Sequence, residues 1–388
     1  MNKATINYKK AANRLSDSIT IKFKNPPSKE IEKSLFNKYF YPSRNRKTWK
    51  TTLGELGKNT FDYFLNQLIK TRLLTGSRKG LGSLGSPYIP SSFVCPLLDT
   101  ITPDSMDYEI HIAIRKIKQE IGNFHEYLQK KLHYTGEELC RSLSAEQIDA
   151  VALSIYNIEK KGQGMIIGDQ TGIGKGRVAA SMIRYGYYNG YKPIFLSEKP
   201  NLFSDMYRDL VDIGSEKLIP FIINGRESKT HIKNNEGEIV YEALPKSEQL
   251  PILESHKVPK KYDYFMATYS QFNSPKTKFV KPNFLKSIAR NNILIMDEAH
   301  NASGSSNTGE FIQEVLRSTN GVTFLSATFA KRPDNMPVYA MKTALSEANL
   351  DNDKLVEAII TGGVALQEVL SSQLVAEGQM IRRERSFE

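Results

Sequence analysis

The stretch Gly168-Asp169-Gln170-Thr171-Gly172-Ile173-Gly174-Lys175-Gly176-Arg177 constrains this chain more than any other. An apolar run, Met165-Ile166-Ile167, leads into it, and a helical pattern over 178–188 leads out. Strand, glycine-rich turn and helix in that order make a phosphate cradle. The glycines let backbone N–H groups close around an anion, the helix N-terminus adds partial positive charge, and a lysine reaches the terminal phosphates. On this reading Thr171, Gly172, Ile173, Gly174, Lys175, Gly176 and Arg177 surround a bound phosphate chain. A Gly-x-Gly-Lys tetrapeptide alone decides little, so the reading depends on what the rest of the chain supplies.

Beyond the loop, strand patterns over 193–196, 219–223, 262–268, 293–297 and 322–326 alternate with helical patterns over 202–212, 283–289 and 310–316. That alternation predicts an α/β fold with a mostly parallel sheet flanked by helices. Ligands of such sheets bind at the C-terminal ends of the strands, and two further motifs fall there. In the first, Ile293-Leu294-Ile295-Met296 delivers Asp297-Glu298-Ala299-His300, the Walker B arrangement. Asp297 would hold Mg²⁺, directly or through water, and Glu298 would orient and polarise a water for in-line phosphoryl transfer. In the second, Phe324-Leu325-Ser326-Ala327-Thr328, the hydroxyls of Ser326 and Thr328 are placed to bond His300 or a carboxylate of the acidic motif, coupling nucleotide state to the lobe.

With these three motifs in this order, the chain resembles the first RecA-like lobe of a superfamily 2 helicase. Within that superfamily it is most similar to the strawberry notch family, whose bacterial and phage relatives are of methylase/helicase type. The residues carrying the likeness are the loop at 168–177, Ala267-Thr268-Tyr269-Ser270-Gln271, Asp297-Glu298-Ala299-His300-Asn301-Ala302, Gly363-Val364-Ala365-Leu366-Gln367-Glu368 and the tail 378–387. The likeness covers about 143–388 and none of 1–100. It implies ATP and Mg²⁺ as cofactors, with Gln147 reading the adenine edge, Lys175 on the β- and γ-phosphates, and Asp297, Glu298 and His300 completing the catalytic set. It also implies that Ser197 and Lys199, then Thr268, Tyr269 and Ser270, grip the sugar–phosphate backbone of a DNA or RNA strand. A core aromatic at a strand end is the other reading of Tyr269.

Two departures matter. Gly176 stands where a standard phosphate loop has the Ser or Thr that ligates Mg²⁺. The strawberry notch pattern shares this Gly-Lys-Gly, and water or Thr171 is then expected to complete the shell. Secondly, a superfamily 2 motor draws arginine fingers from a second RecA-like lobe. Here Arg382, Arg383 and Arg385 are the last basic residues, and they fall in a segment read as the exit from the first lobe. The expectation is a lobe that binds ATP and hydrolyses it slowly until a second lobe joins it, in cis beyond residue 388 or in trans.

Charge divides the chain further. Residues 1–100 hold 18 Lys and Arg against 6 Asp and Glu, and the remainder 35 against 36, so the net +11 sits in the first quarter. Such a segment suits a polyanion-binding arm, or equally a solvated Lys-rich surface. The predicted organisation is a basic, mainly helical accessory region over 1–75, including an amphipathic helix at 61–74. A Gly/Ser/Pro-rich linker at 76–92 and a helical bridging segment at 93–142 follow. The lobe occupies 143–335 with an insertion at about 228–260, and 336–388 is a helical extension and exit. Cys95 and Cys140 give neither a disulfide framework nor metal-ligand spacing, so a reducing compartment is expected. Apolar runs such as 293–296 are too short to cross a bilayer. The chain therefore reads as cytoplasmic, in a bacterial or phage-infected cell, with no membrane partner. The function expected is the motor lobe of a DNA helicase or translocase. The alternatives are a nucleotide-gated DNA-binding or scaffold protein and an RNA-directed helicase lobe. A methyltransferase is disfavoured, because no GxGxxG follows a strand and Asn25-Pro26-Pro27-Ser28 lacks the catalytic aromatic.

Overall fold

A computed structural model describes residues 85–225, 230–273, 279–302, 307–327, 333–348 and 352–385, together with four strands within 4–52. Seven strands build the central sheet: β1 (Gly164–Ile167), β2 (Ile194–Ser197), β3 (Pro220–Ile222), β4 (Tyr264–Thr268), β5 (Ile293–Asp297), β6 (Gly321–Leu325) and β7 (Met380–Ile381). They lie in the order β7-β1-β6-β5-β2-β4-β3, and every pairing is parallel. Successive side chains of a strand point to opposite faces. Ile293, Leu294, Ile295 and Met296 are all buried, so both faces of the sheet are covered. The register pairs Ile167 with Leu325 and Leu325 with Asp297. The loops after β1, β5 and β6 therefore leave the sheet side by side at one edge.

The helices that matter for that edge are α1 (Ala145–Tyr156), α2 (Lys175–Tyr188), α3 (Leu202–Asp212), α4 (Val280–Ala289) and α5 (Asn307–Ser318). α1 opens on a capping box in which Ser144 and Gln147 each satisfy the other's backbone N–H. α2 packs against both α1 and α3. α3 is anchored by Phe203, Met206 and Leu210, a buried stripe at helical spacing. No single helix among the described residues is long and apolar enough to cross a membrane.

Outside the sheet the structure corrects three expectations. Within the N-terminal region the described residues are strands, and the rest of 1–84 lies outside the described residues. Ala4–Lys9, Ser18–Phe23, Tyr41–Pro42 and Thr48–Thr52 form an antiparallel sheet in which Ile6 pairs with Ile21 and Ile21 with Trp49. The cause is visible in Thr5-Ile6-Asn7-Tyr8 and Ser18-Ile19-Thr20-Ile21, where polar and apolar residues alternate with the period of a strand. The helix expected at 61–74 lies outside the described residues. The end of the supposed linker is fixed, since Ser86–Pro87 pairs with Thr100–Thr102 and Tyr88 is fully buried. Residues 93–142 contribute helices Asp104–Ile121, Phe124–Leu132 and Gly136–Ser142, and the insertion contributes a hairpin, His231–Lys233 with Ile239–Glu242, followed by a helix, Lys246–Ser255.

The segment after 335 does not simply leave the lobe. Helix Asn352–Ala376 breaks at Gly363, β7 then joins the sheet beside β1, and Glu384–Arg385 pairs with Thr100–Thr102. A two-residue strand is too short to announce itself by periodicity. Finally, Cys95 and Cys140 are joined in a disulfide with their Cα atoms 4.7 Å apart. The pairing spans 45 residues and depends on helix Gly136–Ser142 packing back toward 93–99, so spacing in sequence gave no hint of it. The compartment reading that rested on unpaired cysteines loses that support.

Candidate active site

The loop between β1 and α2 turns on two glycines in the left-handed region, Gly172 at φ 93° and Gly174 at φ 86°. A Cβ on Gly174 would also fall on the amide nitrogen of Gln147. That amide is bonded through both its oxygen and its nitrogen. Its oxygen accepts from Ser144 N at 3.0 Å, and its Nε2 donates to the carbonyls of Ile173 at 3.0 Å and Gly174 at 3.4 Å. Gln147 is 4% exposed. In this arrangement it braces the loop against the start of α1. Lys175 lies over the loop, its Nζ donating to the Asp169 carbonyl at 2.8 Å. Ile173 is buried, Thr171 is exposed, and Arg177 is paired with Asp212 on α3 at 2.8 Å.

The residue that sequence reasoning missed is Arg383, together with what it holds. Its guanidinium is 0% exposed and bonds both oxygens of the equally buried Asp169, at 2.6 and 3.1 Å. It also donates to the Glu146 carbonyl at 2.5 Å and lies 4.9 Å over the Tyr88 ring. Burial pulls the pKa of Arg383 down, and the Asp169 carboxylate more than reverses this, leaving it above the ordinary value. Around the pair, burial pushes the carboxyls of Glu146 and Asp149 up. Glu146 accepts from Leu98 N, and Asp149 accepts from Tyr88 Oη and Ser91 N. The backbone continues the connection: Gly168 N donates to the Ile381 carbonyl and Gln170 N to the Arg383 carbonyl, both at 2.8 Å. Arg385 closes it, donating to the Gly172 carbonyl at 2.6 and 3.0 Å. Residues 381–385 thus line the phosphate loop along one side, and an arginine following a predicted exit was the only trace of this in the sequence.

Opposite the loop stand the acids. Asp297 is partly buried; burial first, and the Glu298 charge second, push its carboxyl up to about 6. Tyr269 Oη donates to the Asp297 carbonyl at 2.8 Å and ties the ends of β4 and β5 together. Glu298 takes φ 46°, a left-handed conformation unusual for a residue with a side chain. Its Oε2 lies 3.3 Å from Nδ1 of His300, which is also 3.0 Å from Ser326 Oγ. Ser326 and His300 are thus in contact across the ends of β5 and β6; Thr328 lies outside the described residues. A third carboxylate, Asp209 of α3, sits against Gly176, and burial together with the Asp212 charge raises it to about 6. The Asp209 charge is felt at Asp297. These oxygen donors beside Lys175 are the hard ligands that Mg²⁺ takes, so the residues present fit that ion.

The five residues expected on a nucleic-acid strand divide. Ser197, Thr268 and Tyr269 are buried, and their polar atoms bond within the lobe: Ser197 to the Lys199 carbonyl, Thr268 to Asn224, Tyr269 to Asp297. In this arrangement the polar atoms of all three face protein partners, and Tyr269 packs as a core aromatic. Lys199 and Ser270 are exposed at the same edge. A cleft of about 500 Å³ beside Tyr191, Asn320 and Lys342 lies at the opposite, N-terminal edge of the sheet, remote from these groups.

The signature of a family described as P-loop containing NTP hydrolase pore-1 matches residues 113–388. A strawberry notch homologue of Caenorhabditis elegans is 24% identical over 75% of this chain and 15% of its own length. Protein strawberry notch of Drosophila melanogaster is 28% identical over 58% of this chain and 14% of its own. Strawberry notch homolog 1 of Gallus gallus is 26% identical over 63% and 20%. The chain thus spans between about a seventh and a fifth of these curated relatives. Among solved structures, the Sulfolobus solfataricus SWI2/SNF2 ATPase core in complex with dsDNA matches at 14% identity and a TM-score of 0.44, covering 63% of this chain and 44% of that one. A nuclease-deletion mutant of the Type ISP restriction-modification enzyme LlaGI matches at 17% identity and a TM-score of 0.36, covering 48% and 17%.

Proposed function

Because the chain belongs to the P-loop containing NTP hydrolase pore-1 family, we propose that it is the ATP-binding lobe of a superfamily 2 DNA translocase or helicase, completed by a second RecA-like lobe. The observation that carries this reading is the register of β1, β6 and β5, which brings the Lys175 loop, Ser326 and the Asp297–Glu298 pair to one edge. In this role Lys175 leaves the Asp169 carbonyl for the β- and γ-phosphates, while Gly172 and Gly174 let backbone N–H groups face them. Glu298 holds the attacking water in line and takes its proton, with His300 and Ser326 orienting the carboxylate. Asp297 would hold Mg²⁺, which would supply charge neutralisation at the phosphates. DNA is gripped by exposed groups at the same edge, Lys199 and Ser270 among them, with the basic N-terminal region as a second contact.

Need for a second lobe is supported by the arginines. Arg383 is buried on Asp169, Arg385 bonds Gly172, and Arg382 pairs with Glu384, so none of the three is placed as an arginine finger. Lys175→Ala is expected to weaken binding of a fluorescent ATP analogue by about 100-fold, the scale of losing one charge-assisted partner. Unchanged affinity would remove the basis of the reading. Hydrolysis measured with duplex DNA, with RNA and with neither then separates the alternatives. DNA stimulation supports the motor, RNA stimulation an RNA-directed lobe, and indifference to both a nucleotide-gated scaffold.

A further inference from the structure

In a phosphate loop the residue after the lysine usually offers a hydroxyl to the metal. Here that residue is Gly176, the second residue of α2. Gly176 has ordinary helical geometry, so nothing in its backbone calls for a glycine. Space does. A Cβ built there would collide with Oδ2 of Asp209 and lie 3.0 Å from its Oδ1. The volume a serine or threonine side chain would fill is occupied by a carboxylate from the neighbouring helix.

That carboxylate is held there by its own element. Met206 and Leu210 anchor α3 in the core, and α3 packs along α2. Its charged neighbours have other partners: Arg177 pairs with Asp212 at 2.8 Å and Arg208 with Asp205. Among the described residues, the Asp209 carboxylate makes no hydrogen bond or contact ion pair. A half-buried carboxylate without such a partner, packed on the residue after the phosphate-binding lysine and near enough for its charge to reach Asp297, is a poor stabilising device and a good ligand.

We propose that Asp209 is a metal-shell residue of the nucleotide site, supplying from α3 the oxygen that a Ser or Thr at position 176 would otherwise supply. The inference rests on the nucleotide-binding reading above and deepens it. The oxygen reaches the divalent cation directly or through one of its waters, as suits an ion that keeps several waters and takes one or two carboxylates. The exchange of a neutral hydroxyl for a carboxylate has a consequence of its own. Without metal, Asp209 repels the triphosphate; with metal, it helps hold it. Nucleotide binding is therefore more metal-dependent here than in a loop with a hydroxyl.

The test uses the full chain, a non-hydrolysable ATP analogue and Mn²⁺ as probe, read by electron paramagnetic resonance of free Mn²⁺ and by nucleotide titration with and without metal. Asp209→Asn is expected to weaken Mn²⁺ binding in the ternary complex by about 10- to 100-fold, the range for removing a supporting metal-site residue. It should at the same time leave metal-free nucleotide binding equal or tighter. Gly176→Thr alone should disrupt the site by collision, whereas Gly176→Thr with Asp209→Ala restores a hydroxyl in the vacated space and recovers Mn²⁺ binding to within several-fold. Equal weakening with and without metal would mark Asp209 as merely structural and overturn the proposal. So would Mn²⁺ binding that Asp297→Asn weakens and Asp209→Asn does not, or a double variant no better than Asp209→Ala. If the unaltered chain binds no nucleotide, or binds it independently of Lys175, the nucleotide-binding reading fails and takes the inference with it.

Discussion

Arg383→Met is expected to destabilise the chain by about 3–5 kcal/mol in urea unfolding, the cost of leaving a buried charge without its partner. The variant keeps most of the apolar volume of the arginine stem and removes the guanidinium. Asp169, 1% exposed in the unaltered chain, is then left with neither oxygen bonded to Arg383, and the Glu146 carbonyl loses one donor. The second variant of a cycle, Asp169→Asn with Arg383→Met, removes both charges and should recover part of the loss, since a missing pair costs less than half of one. Nucleotide affinity should fall along with stability in Arg383→Met, because the Asp169 carbonyl is the acceptor that positions Lys175 over the loop. A change below about 1 kcal/mol would place the pair among interactions of marginal worth, where exposed ion pairs belong.

Glu298→Gln should lower ATP hydrolysis by about 10²–10⁴-fold, the usual contribution of a positioned general base, while nucleotide affinity stays within a few-fold. The amide is nearly the same size as the carboxylate and keeps the approach to His300, but it cannot take a proton from water. Because a lone lobe is expected to turn over slowly, single-turnover measurement at saturating nucleotide gives the clearest comparison. His300→Ala should cost less, since its ring bridges Glu298 and Ser326 and acts by orienting. Full turnover in Glu298→Gln would move the base elsewhere.

The parts of this site legible in sequence are those whose signal is local. The loop at 168–177 and the acids at 297–298 each sit where an apolar strand ends, and both the strand and its polar terminus are contiguous. Gln147 shows how two local signals can compete. Its place three residues after Ser144 marks a capping box, and in the structure the amide oxygen caps the helix while its nitrogen braces the loop at Ile173 and Gly174. Buried Tyr269 and Thr268 illustrate a related limit, for a motif at a strand end does not say which of its residues turn inward. The distant partners were silent. Asp209 meets Gly176 only because α3 folds against α2, and Arg383 meets Asp169 only because β7 returns beside β1. The N-terminal strands rest on a two-residue alternation that a high charge and aromatic content overlies.

The return of β7 to β1 also bears on how the molecule comes to exist. Asp169 and Arg383 are separated by 214 residues, and no nearer arginine stands in for the missing charge among the described contacts. During synthesis β1 pairs only with β6 and β7, which follow it at residues 321–325 and 380–381, so both of its edges wait for distant partners. Parallel pairings at such separation carry a large loop-closure cost and form slowly. The nucleotide loop should therefore be among the last features to mature, closing when residues 380–385 dock. A chain halted short of that point would expose the apolar edge of β1 to its surroundings, where capture by other unpaired strands competes with completion.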